Sequence, residues 1–253
     1  MITVRKSEER RHIVAGNQAT WMTFDWENKA DHLREGFGVL KILNEEILSP
    51  GRGFILHTHK DMVVVTYVQE GVVVYNGPRP KTGLLSSGEF QPIHIMSGTT
   101  QFTVNGLPDN DAHVFQSGFE PRMDAAESSQ EKNPLTHGGS APRTDTAEIA
   151  EEKKLFTLAD RRGILRLIAS PDGKEASLKI QQDVQMYSTL LNKGNHMIHE
   201  LKPGRKAWLH VVSGKIMLNE LELKTGDGAG ISDDIGVSFT AQEPTEILLF
   251  DLP

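Results

Sequence analysis

Residues 51–62 read Gly-Arg-Gly-Phe-Ile-Leu-His-Thr-His-Lys-Asp-Met and place two histidines, His57 and His59, two positions apart. Side chains on an extended strand alternate between its faces, so residues spaced by two project to the same side. The apolar runs 54–56 and 62–68 on either side predict strands of a buried sheet. The two imidazoles can therefore converge on one metal ion or one small ligand, although two ligands do not complete a transition-metal site.

The composition limits what the 253-residue chain can do. A net charge of −7 argues against non-specific binding to nucleic acid or to an anionic membrane. The sequence has no cysteine, which excludes a disulfide framework, a zinc–thiolate site and a thiol nucleophile. No run approaches the ~18 apolar residues of a membrane span, and residues 1–11 lack the apolar core of a signal peptide. We therefore expect a cytoplasmic protein.

Short β-branched runs separated by turn residues dominate the first half of the chain. They cover residues 37–43, 54–59, 62–68 and 72–75, and turn chemistry at 49–51, 70–71 and 76–78 divides them. Such strands, with few helix signals, predict an all-β sandwich or barrel. Near the start, Trp21 and Trp26 fit either a further strand or an irregular arm.

A polar stretch rich in Pro, Gly and Ser divides the chain. We expect an N-terminal domain over residues 1–120, a linker or surface excursion over 121–154 with room for one short helix near 146–154, and a C-terminal domain over 155–253. The second half repeats the first: residues 66–76 align with 209–219, and residues 87–90 align with 225–228. This order and spacing predict two copies of one β-fold.

These motifs resemble those of the cupins. A Gly, five residues, His-x-His, a strand that ends in Glu70-Gly71, and then Gly88-Glu-Phe match the first cupin motif and the start of the second. Two copies resemble a bicupin, and the residues of these motifs are most similar to those of the pirins and pirin-like quercetin dioxygenases. The segments that carry this likeness are 57–62, 66–68, 70–71, 88–91, 170–178, 182–183, 187 and 248–253. The resemblance implies two stacked β-barrels (double-stranded β-helices), the first holding one divalent metal, usually iron.

The family holds this metal with three histidines and a glutamate, and the resemblance places two of them on His57 and His59. Counted without a gap from residues 88–91, the third histidine falls on Gln101 and the glutamate on Thr103, with Asn105 in its usual place. Gln offers a neutral oxygen, and Thr removes the only negative charge that would suit iron. We therefore expect weakened metal binding by His57 and His59, with Gln101 as a weak third ligand and Thr103 as a poor fourth.

Other polar residues offer fewer candidates. His94, on the strand leading to Gln101, fits either a replacement ligand or a hydrogen-bonded core or rim histidine. His137 is expected in an exposed loop. His196 and His199 are three apart, which does not place them on one face of a strand, so we expect surface histidines. The acid pairs 45–46 and 233–234 are expected to be exposed turn charges.

Two functions remain open from the sequence. The chain is either a pirin-like protein with lost or weakened catalysis, acting as a small-molecule sensor or partner-binding module, or a metal-dependent dioxygenase. The resemblance implies that such an enzyme opens a flavonol such as quercetin, through a metal that anchors the deprotonated substrate hydroxyl. It also implies a flavonol-like ligand and a monomer. No base–nucleophile pair supports a metal-free enzyme.

Overall fold

The computed structural model describes residues 1–57, 61–76, 82–95, 100–120 and 152–253. Before the polar stretch the strands are β1 (Ile2–Arg5), β2 (Arg11–Ala15), β3 (Gln18–Met22), β4 (Leu40–Leu48), β5 (Gly53–His57), β6 (Met62–Glu70), β7 (Val72–Asn76), β8 (Thr82–Ser86), β9 (Glu89–Ile95), β10 (Thr100–Asn105) and β11 (Ala112–Phe119). After it come β12 (Lys154–Leu155), helix α1 (Leu158–Arg161), β13 (Arg166–Ser170), β14 (Leu178–Lys179), β15 (Gln185–Leu191), β16 (His196–Glu200), β17 (Lys206–Ser213), β18 (Lys215–Leu218), β19 (Leu221–Lys224), β20 (Gly228–Ile231), β21 (Gly236–Ala241) and β22 (Thr245–Leu252). The predicted all-β class is confirmed.

The strands form two barrels of the same design. In the N-terminal barrel, a seven-stranded sheet ordered β12-β9-β6-β11-β4-β3-β2 packs on a four-stranded sheet ordered β5-β10-β7-β8. In the C-terminal barrel, the sheet β1-β20-β17-β22-β15-β13-β14 packs on the sheet β16-β21-β18-β19. Strand alternation gives each large sheet an inner face toward its own barrel and an outer face toward the other barrel, where Tyr67, Phe115 and Trp208 share one apolar core.

The internal repeat predicted from the sequence is confirmed by the backbone. Gly71, between β6 and β7, has φ of 90°, and Gly214, between β17 and β18, has φ of 87°. Gly88 and Gly226, in the next repeated turn, have φ of 82° and 83°. Glycine adopts this left-handed region without the steric cost that a Cβ imposes, which explains why the repeat keeps glycine at both turns.

The two barrels exchange edge strands. Residues 2–5 in β1 pair with residues 228–231 in β20, at the edge of the C-terminal sheet. Residues 154–155 in β12 pair with residues 89–90 in β9, at the equivalent edge of the N-terminal sheet. Lys154 is therefore in a strand, while the rest of the helix considered near 146–154 lies largely outside the described residues. The division into 1–120, 121–154 and 155–253 stays a prediction.

The prediction that Glu45 and Glu46 are exposed turn charges is wrong. Both lie inside β4, where they are 8% and 3% exposed. Glu45 points toward the other barrel and accepts a 2.7 Å hydrogen bond from Arg10 Nη1. Glu46 points into the N-terminal barrel, opposite Val114, and accepts a hydrogen bond from Thr20 Oγ1. Each carboxylate is stabilised by a partner from a distant part of the sequence, which a local pattern does not reveal.

The described part of the chain contains no helix of the length and apolar character that crossing a membrane requires.

Candidate functional site

The two segments that carry the predicted metal ligands lie on adjacent antiparallel strands. In the register of β5 and β10, His57 is opposite Thr100, Gln101 is opposite Leu56, and Thr103 is opposite Phe54. His59 and the side chains of His57 and Gln101 lie outside what the structure describes. Convergence of these residues on one metal therefore stays a prediction.

Thr103 is the one predicted ligand whose side chain the structure describes. It is 1% exposed, inside the N-terminal barrel, beside Tyr75 on β7. Its Oγ1 has no hydrogen-bond partner among the residues described. A hydroxyl in this position is uncharged and can donate or accept one hydrogen bond to a group inside the barrel.

Asn105, two residues further along β10, has a structural role. Its Nδ2 donates to the carbonyl oxygens of Leu48, at 2.7 Å, and Asn110, at 2.8 Å. Its Oδ1 accepts from the backbone amide of Leu107 at 2.8 Å. Both Nδ2 and Oδ1 of Asn105 are therefore engaged in hydrogen bonds that fix the turn between β10 and β11, and the side chain does not serve as a ligand in this arrangement.

A row of buried polar side chains crosses the inner face of the large N-terminal sheet. Gln116 on β11 pairs with Thr66 on β6, which pairs with Gln91 on β9, and none of the three is more than 1% exposed. We call these three residues the inner polar band. Gln116 Nε2, Thr66 Oγ1 and Gln91 Oε1 have no partner in the described ranges. A buried polar atom left unpaired costs about 1–3 kcal/mol, so the band reduces stability unless another group binds it.

The opposite wall of this interior contributes Tyr75. Gln91 Nε2 donates a 2.5 Å hydrogen bond to the Tyr75 hydroxyl oxygen, which joins the two sheets. Tyr75 is opposite Gly83 on β8, and a Cβ added at Gly83 would lie 2.2 Å from the Tyr75 ring. Gly83 therefore leaves the space in which the phenol ring lies.

Glu46 lies on the same inner face, one strand beyond Gln116. Burial and, to a smaller extent, neighbouring Glu45 raise the pKa of Glu46 to about 7, against the lowering effect of hydrogen bonds from Thr20 and Gln18. A buried carboxyl of this kind stays protonated in mildly acidic solution.

The described residues do not fit the family's iron site. No group of three or more His, Asp or Glu side chains that could hold a metal occurs within the described residues. Within the described residues, the unpartnered donors inside the barrel are the hydroxyls of Thr66 and Thr103 and the amides of Gln91 and Gln116, all of them neutral. Iron prefers imidazole together with anionic oxygen, so this donor set would hold it weakly.

None of the other histidines within the described residues repairs the site, and His137 lies outside those residues. His94 is exposed, on the face of β9 opposite to Gln91 and Ile93, and therefore does not line the interior. His196 is exposed, as predicted. The prediction of a surface residue is wrong for His199, whose Nε2 lies 2.9 Å from the buried Asp251 carboxylate. Both histidines lie on strand β16, and the partner of His199 comes from the far end of the chain.

A separate open groove of about 580 Å³ lies on the outside of the N-terminal barrel, beyond the end of β6. Glu70, Asp111 and His113 contribute polar groups to it. Its described lining includes neither Thr103 nor any member of the inner polar band.

Comparison with known proteins agrees with this architecture. Residues 167–252 match the family model of the quercetinase C-terminal cupin domain. The chain is 32% identical to quercetin 2,3-dioxygenase of Escherichia coli strain K12, over 100% of this chain and 99% of that protein. The crystal structure of YhhW from Escherichia coli has a TM-score of 0.82 at 30% identity, covering 100% of this chain and 98% of that one. The crystal structure of bacterial pirin YhhW from Escherichia coli in complex with nickel(II) has a TM-score of 0.79 at 30% identity, covering 100% of this chain and 99% of that one. The predicted bicupin fold is confirmed, and the chain belongs to the pirin/quercetinase family.

Proposed function

We propose that this chain is a pirin/quercetinase-family protein whose N-terminal barrel binds a small molecule and has weak or no dioxygenase activity. The observation that carries the proposal is Thr103. It is a buried, neutral hydroxyl with no hydrogen-bond partner among the described residues, at the position to which the family resemblance assigns the carboxylate ligand. Without that negative charge, the remaining donors hold a divalent ion less tightly.

The described interior is suited to binding rather than to metal chemistry. In the family's reaction, as the resemblance implies it, the metal anchors the deprotonated substrate hydroxyl and activates it towards oxygen. The residues described here can orient a hydroxyl or carbonyl group through hydrogen bonds from Thr103 and the inner polar band, which are buried inside the barrel. A regulatory or partner-binding role, a cytoplasmic location and a monomeric state accompany this proposal as predictions.

A metal-dependent quercetin 2,3-dioxygenase is the second candidate. It is favoured by the 32% identity to a protein of that name and by the nickel(II) complex of YhhW. His57 and His59 would hold a divalent metal, most simply iron, with Gln101 as a weak third ligand. The ligand would then be a flavonol, as the names of the relatives indicate.

Metal analysis separates the two candidates. The protein is purified without chelator, incubated with iron(II) or nickel(II), dialysed and measured by elemental analysis, and we expect less than one metal per chain. Gln101→His with Thr103→Glu is expected to raise occupancy toward one. Gln101→Asn with Thr103→Ser keeps both donors neutral and is the matched control, with occupancy unchanged. Stoichiometric metal in the wild type that His57→Ala abolishes would contradict the proposal.

Quercetin turnover completes the test. Loss of the visible absorbance of quercetin is followed in air with wild-type protein and with the Gln101→His/Thr103→Glu variant. We expect little or no loss for the wild type and a faster loss for the metal-loaded variant. Rapid turnover by the wild type that a chelator stops would establish the second candidate.

A further inference from the structure

The small sheet of the N-terminal barrel presents an apolar surface to solvent. Strand alternation turns every second side chain of β5, β10, β7 and β8 away from the barrel interior. Three of these outward side chains are large and exposed: Ile55 at 64%, Leu84 at 54% and Phe102 at 42%. Phe102 pairs with Ile55, and Val74 pairs with Leu84, so these side chains are neighbours on one surface. We define the apolar face as the outward side chains of Ile55, Val72, Val74, Leu84, Phe102 and Val104.

The equivalent face of the C-terminal barrel is mostly polar. Strands β16, β21, β18 and β19 have the same order and register as β5, β10, β7 and β8. The residues that replace Val72, Leu84, Phe102 and Val104 in this register are, in that order, Lys215, Glu222, Ser238 and Thr240. The fold therefore accepts charged and hydroxyl side chains on this face, and the apolar face is not required for architecture. A contiguous apolar surface that only one of two equivalent barrels carries indicates contact with another molecule.

Carboxylates border one end of the apolar face. The groove of about 580 Å³ begins there, since its lining includes the glycine that directly precedes Val72. Glu70 and Asp111 supply carboxylates to the groove, and neither has an ion-pair partner in the described ranges. Arg52, at the same end of the sheet, lies beside Gly16 in the turn between β2 and β3. A molecule that extends from the apolar face into the groove is therefore bound more tightly if it carries positive charge at this end.

The size of the apolar face fits one helix. Four strands spaced by about 4.8 Å, each contributing five or six residues that rise about 3.3 Å apiece, give a surface of roughly 19 by 17 Å. A stable interface between two folded subunits buries about 800 Å² on each of them, more than twice the area of this surface. A helix is about 10 Å across and rises 1.5 Å per residue, so about 11 residues with one apolar stripe cover the face. The area favours a single amphipathic helix over a second copy of this chain.

We infer that the apolar face binds an amphipathic helix of a partner protein, with lysine or arginine at the end of the helix that meets Glu70 and Asp111. Cations at the C-terminus of a helix also complement its dipole, which orients the C-terminal end toward the groove. This inference goes beyond small-molecule binding and does not depend on whether the barrel holds a metal. Because Thr103 lies between Phe102 and Val104 on β10, one strand contributes both to the barrel interior and to this surface.

The test uses a synthetic peptide of about 14 residues with leucines at positions i, i+3, i+4 and i+7, lysines in its last turn and fluorescein at its N-terminus. Fluorescence anisotropy follows its titration with the full-length protein at low ionic strength, and we expect saturable binding. Two control peptides have the same composition in scrambled order, or glutamate in place of lysine. Each is expected to bind at least about tenfold more weakly. No binding of the basic peptide, or equal binding of all three, would overturn the inference.

A pair of equivalent residues, one on each barrel, supplies the matched variants. Ile55 and Ile198 occupy the same register position and are equally exposed, at 64%. Ile55→Ser is expected to weaken binding of the basic peptide about tenfold, as is Phe102→Ser, whereas Ile198→Ser leaves it unchanged. The melting temperature is expected to stay the same, because all three side chains are exposed. Glu70→Gln with Asp111→Asn is expected to abolish the preference for the basic over the acidic peptide. Equal weakening by the two isoleucine variants would overturn the inference.

Two other occupants of the apolar face make different predictions. If a second copy covers it, sedimentation velocity would show a dimer that Phe102→Ser dissociates. If a lipid surface covers it, the protein would sediment with phosphatidylcholine vesicles, and Phe102→Ser would prevent this. We expect one monomeric species that stays in the supernatant, and either of the other results would overturn the inference. Metal content measured on the same samples tests the proposed function separately.

Discussion

Arg161 Nη1 donates a 3.0 Å hydrogen bond to the hydroxyl oxygen of Tyr67, and this contact joins the two barrels. Tyr67 lies on β6 of the N-terminal barrel, and Arg161 ends helix α1 beside the C-terminal barrel. The carboxylate of Glu246 on β22 accepts hydrogen bonds from both residues at 2.6 Å, and Ser188 Oγ accepts a further one from Arg161 at 3.0 Å. Burial and the neighbouring carboxylate raise the pKa of Tyr67, so its hydroxyl stays protonated and donates to Glu246. The network fixes how the barrels pack.

Removing the cation from this network is expected to be costly. Arg161→Met leaves the buried carboxylate of Glu246 without its counter-charge, and we expect a loss of about 3–5 kcal/mol in the free energy of unfolding. Urea unfolding measures the loss. The double variant Arg161→Met/Glu246→Gln removes both charges and is expected to recover part of the stability. Equal stability of the single and double variants would contradict the ion-pair account.

Glu46 makes stability depend on pH near neutrality. Its folded pKa is about 7, above the ordinary value of 4.5, so its contribution is fully present below pH 4.5 and is lost as pH rises through 7. The wild type is expected to lose roughly 3 kcal/mol relative to Glu46→Gln over this interval. Urea unfolding of both proteins from acidic to mildly alkaline pH measures the difference. Asp234→Asn, at an exposed turn, is the control, and parallel curves for wild type and Glu46→Gln would contradict the prediction.

His210 makes the interface between the barrels sensitive to acid. It is fully buried on β17, its ring lies 6.0 Å from that of Phe115, and neither ring nitrogen has a partner within the described part of the chain. Burial and Arg10 lower the pKa of His210 to about 3, against the opposing effect of Glu45. The imidazole is therefore neutral in the folded protein.

The contribution of neutral His210 to the free energy of unfolding is fully present above the unfolded pKa of 6.5. It is lost as pH falls toward 3, because the imidazole of the unfolded chain binds a proton at a higher pH than the buried one. His210→Leu is expected to lose less stability than the wild type between those limits. Thermal unfolding at a series of pH values measures the effect. The exposed His196→Leu is the matched control, and an acid profile of His210→Leu identical to that of the wild type would show that His210 does not contribute.

Gly83 is expected to be intolerant of even one methyl group. A Cβ at this position would lie 2.2 Å from the Tyr75 ring, so Gly83→Ala displaces the phenol and breaks its bond with Gln91. We expect a loss of about 1–3 kcal/mol, measured as a lower melting temperature. The C-terminal barrel has a leucine, Leu218, at the position equivalent to Tyr75. Adding Tyr75→Leu to Gly83→Ala is therefore expected to restore stability. Failure of this rescue would mean that contacts other than Tyr75 limit the site.

The sequence predicted the strands well because their signal is local. Residues 62–68 and 72–75 were expected as strands and form β6 and β7, whose ends lie within two residues of the predicted limits. Alternation and turn glycines act within a few residues, so they can be read without knowing the fold. The strand near Trp21 is likewise confirmed as β3, whereas Trp26 is exposed outside it.

The interior was harder to predict because its partners come from distant parts of the chain. Glu45 meets Arg10, and His199 meets Asp251, so neither pair forms a motif. In the sequence, each member of the inner polar band is a single polar residue within a predicted or apolar strand segment. Their adjacency follows only from the order of β9, β6 and β11 in the sheet. The available signal was the repeat itself, because it aligns Thr66 with Leu209 and shows a change from apolar to polar in the barrel interior.

The exchange of β1 and β12 makes the two halves of the molecule mutually dependent. A protease that cuts between residues 121 and 151 would divide the polypeptide, yet β1 would remain in the sheet of the second fragment and β12 in that of the first. The nicked protein is therefore held together by backbone hydrogen bonds in both directions. A gene shortened to either half would produce a barrel with an open sheet edge, a surface prone to aggregation. Both halves of the duplicated chain are therefore needed for each barrel to complete its large sheet.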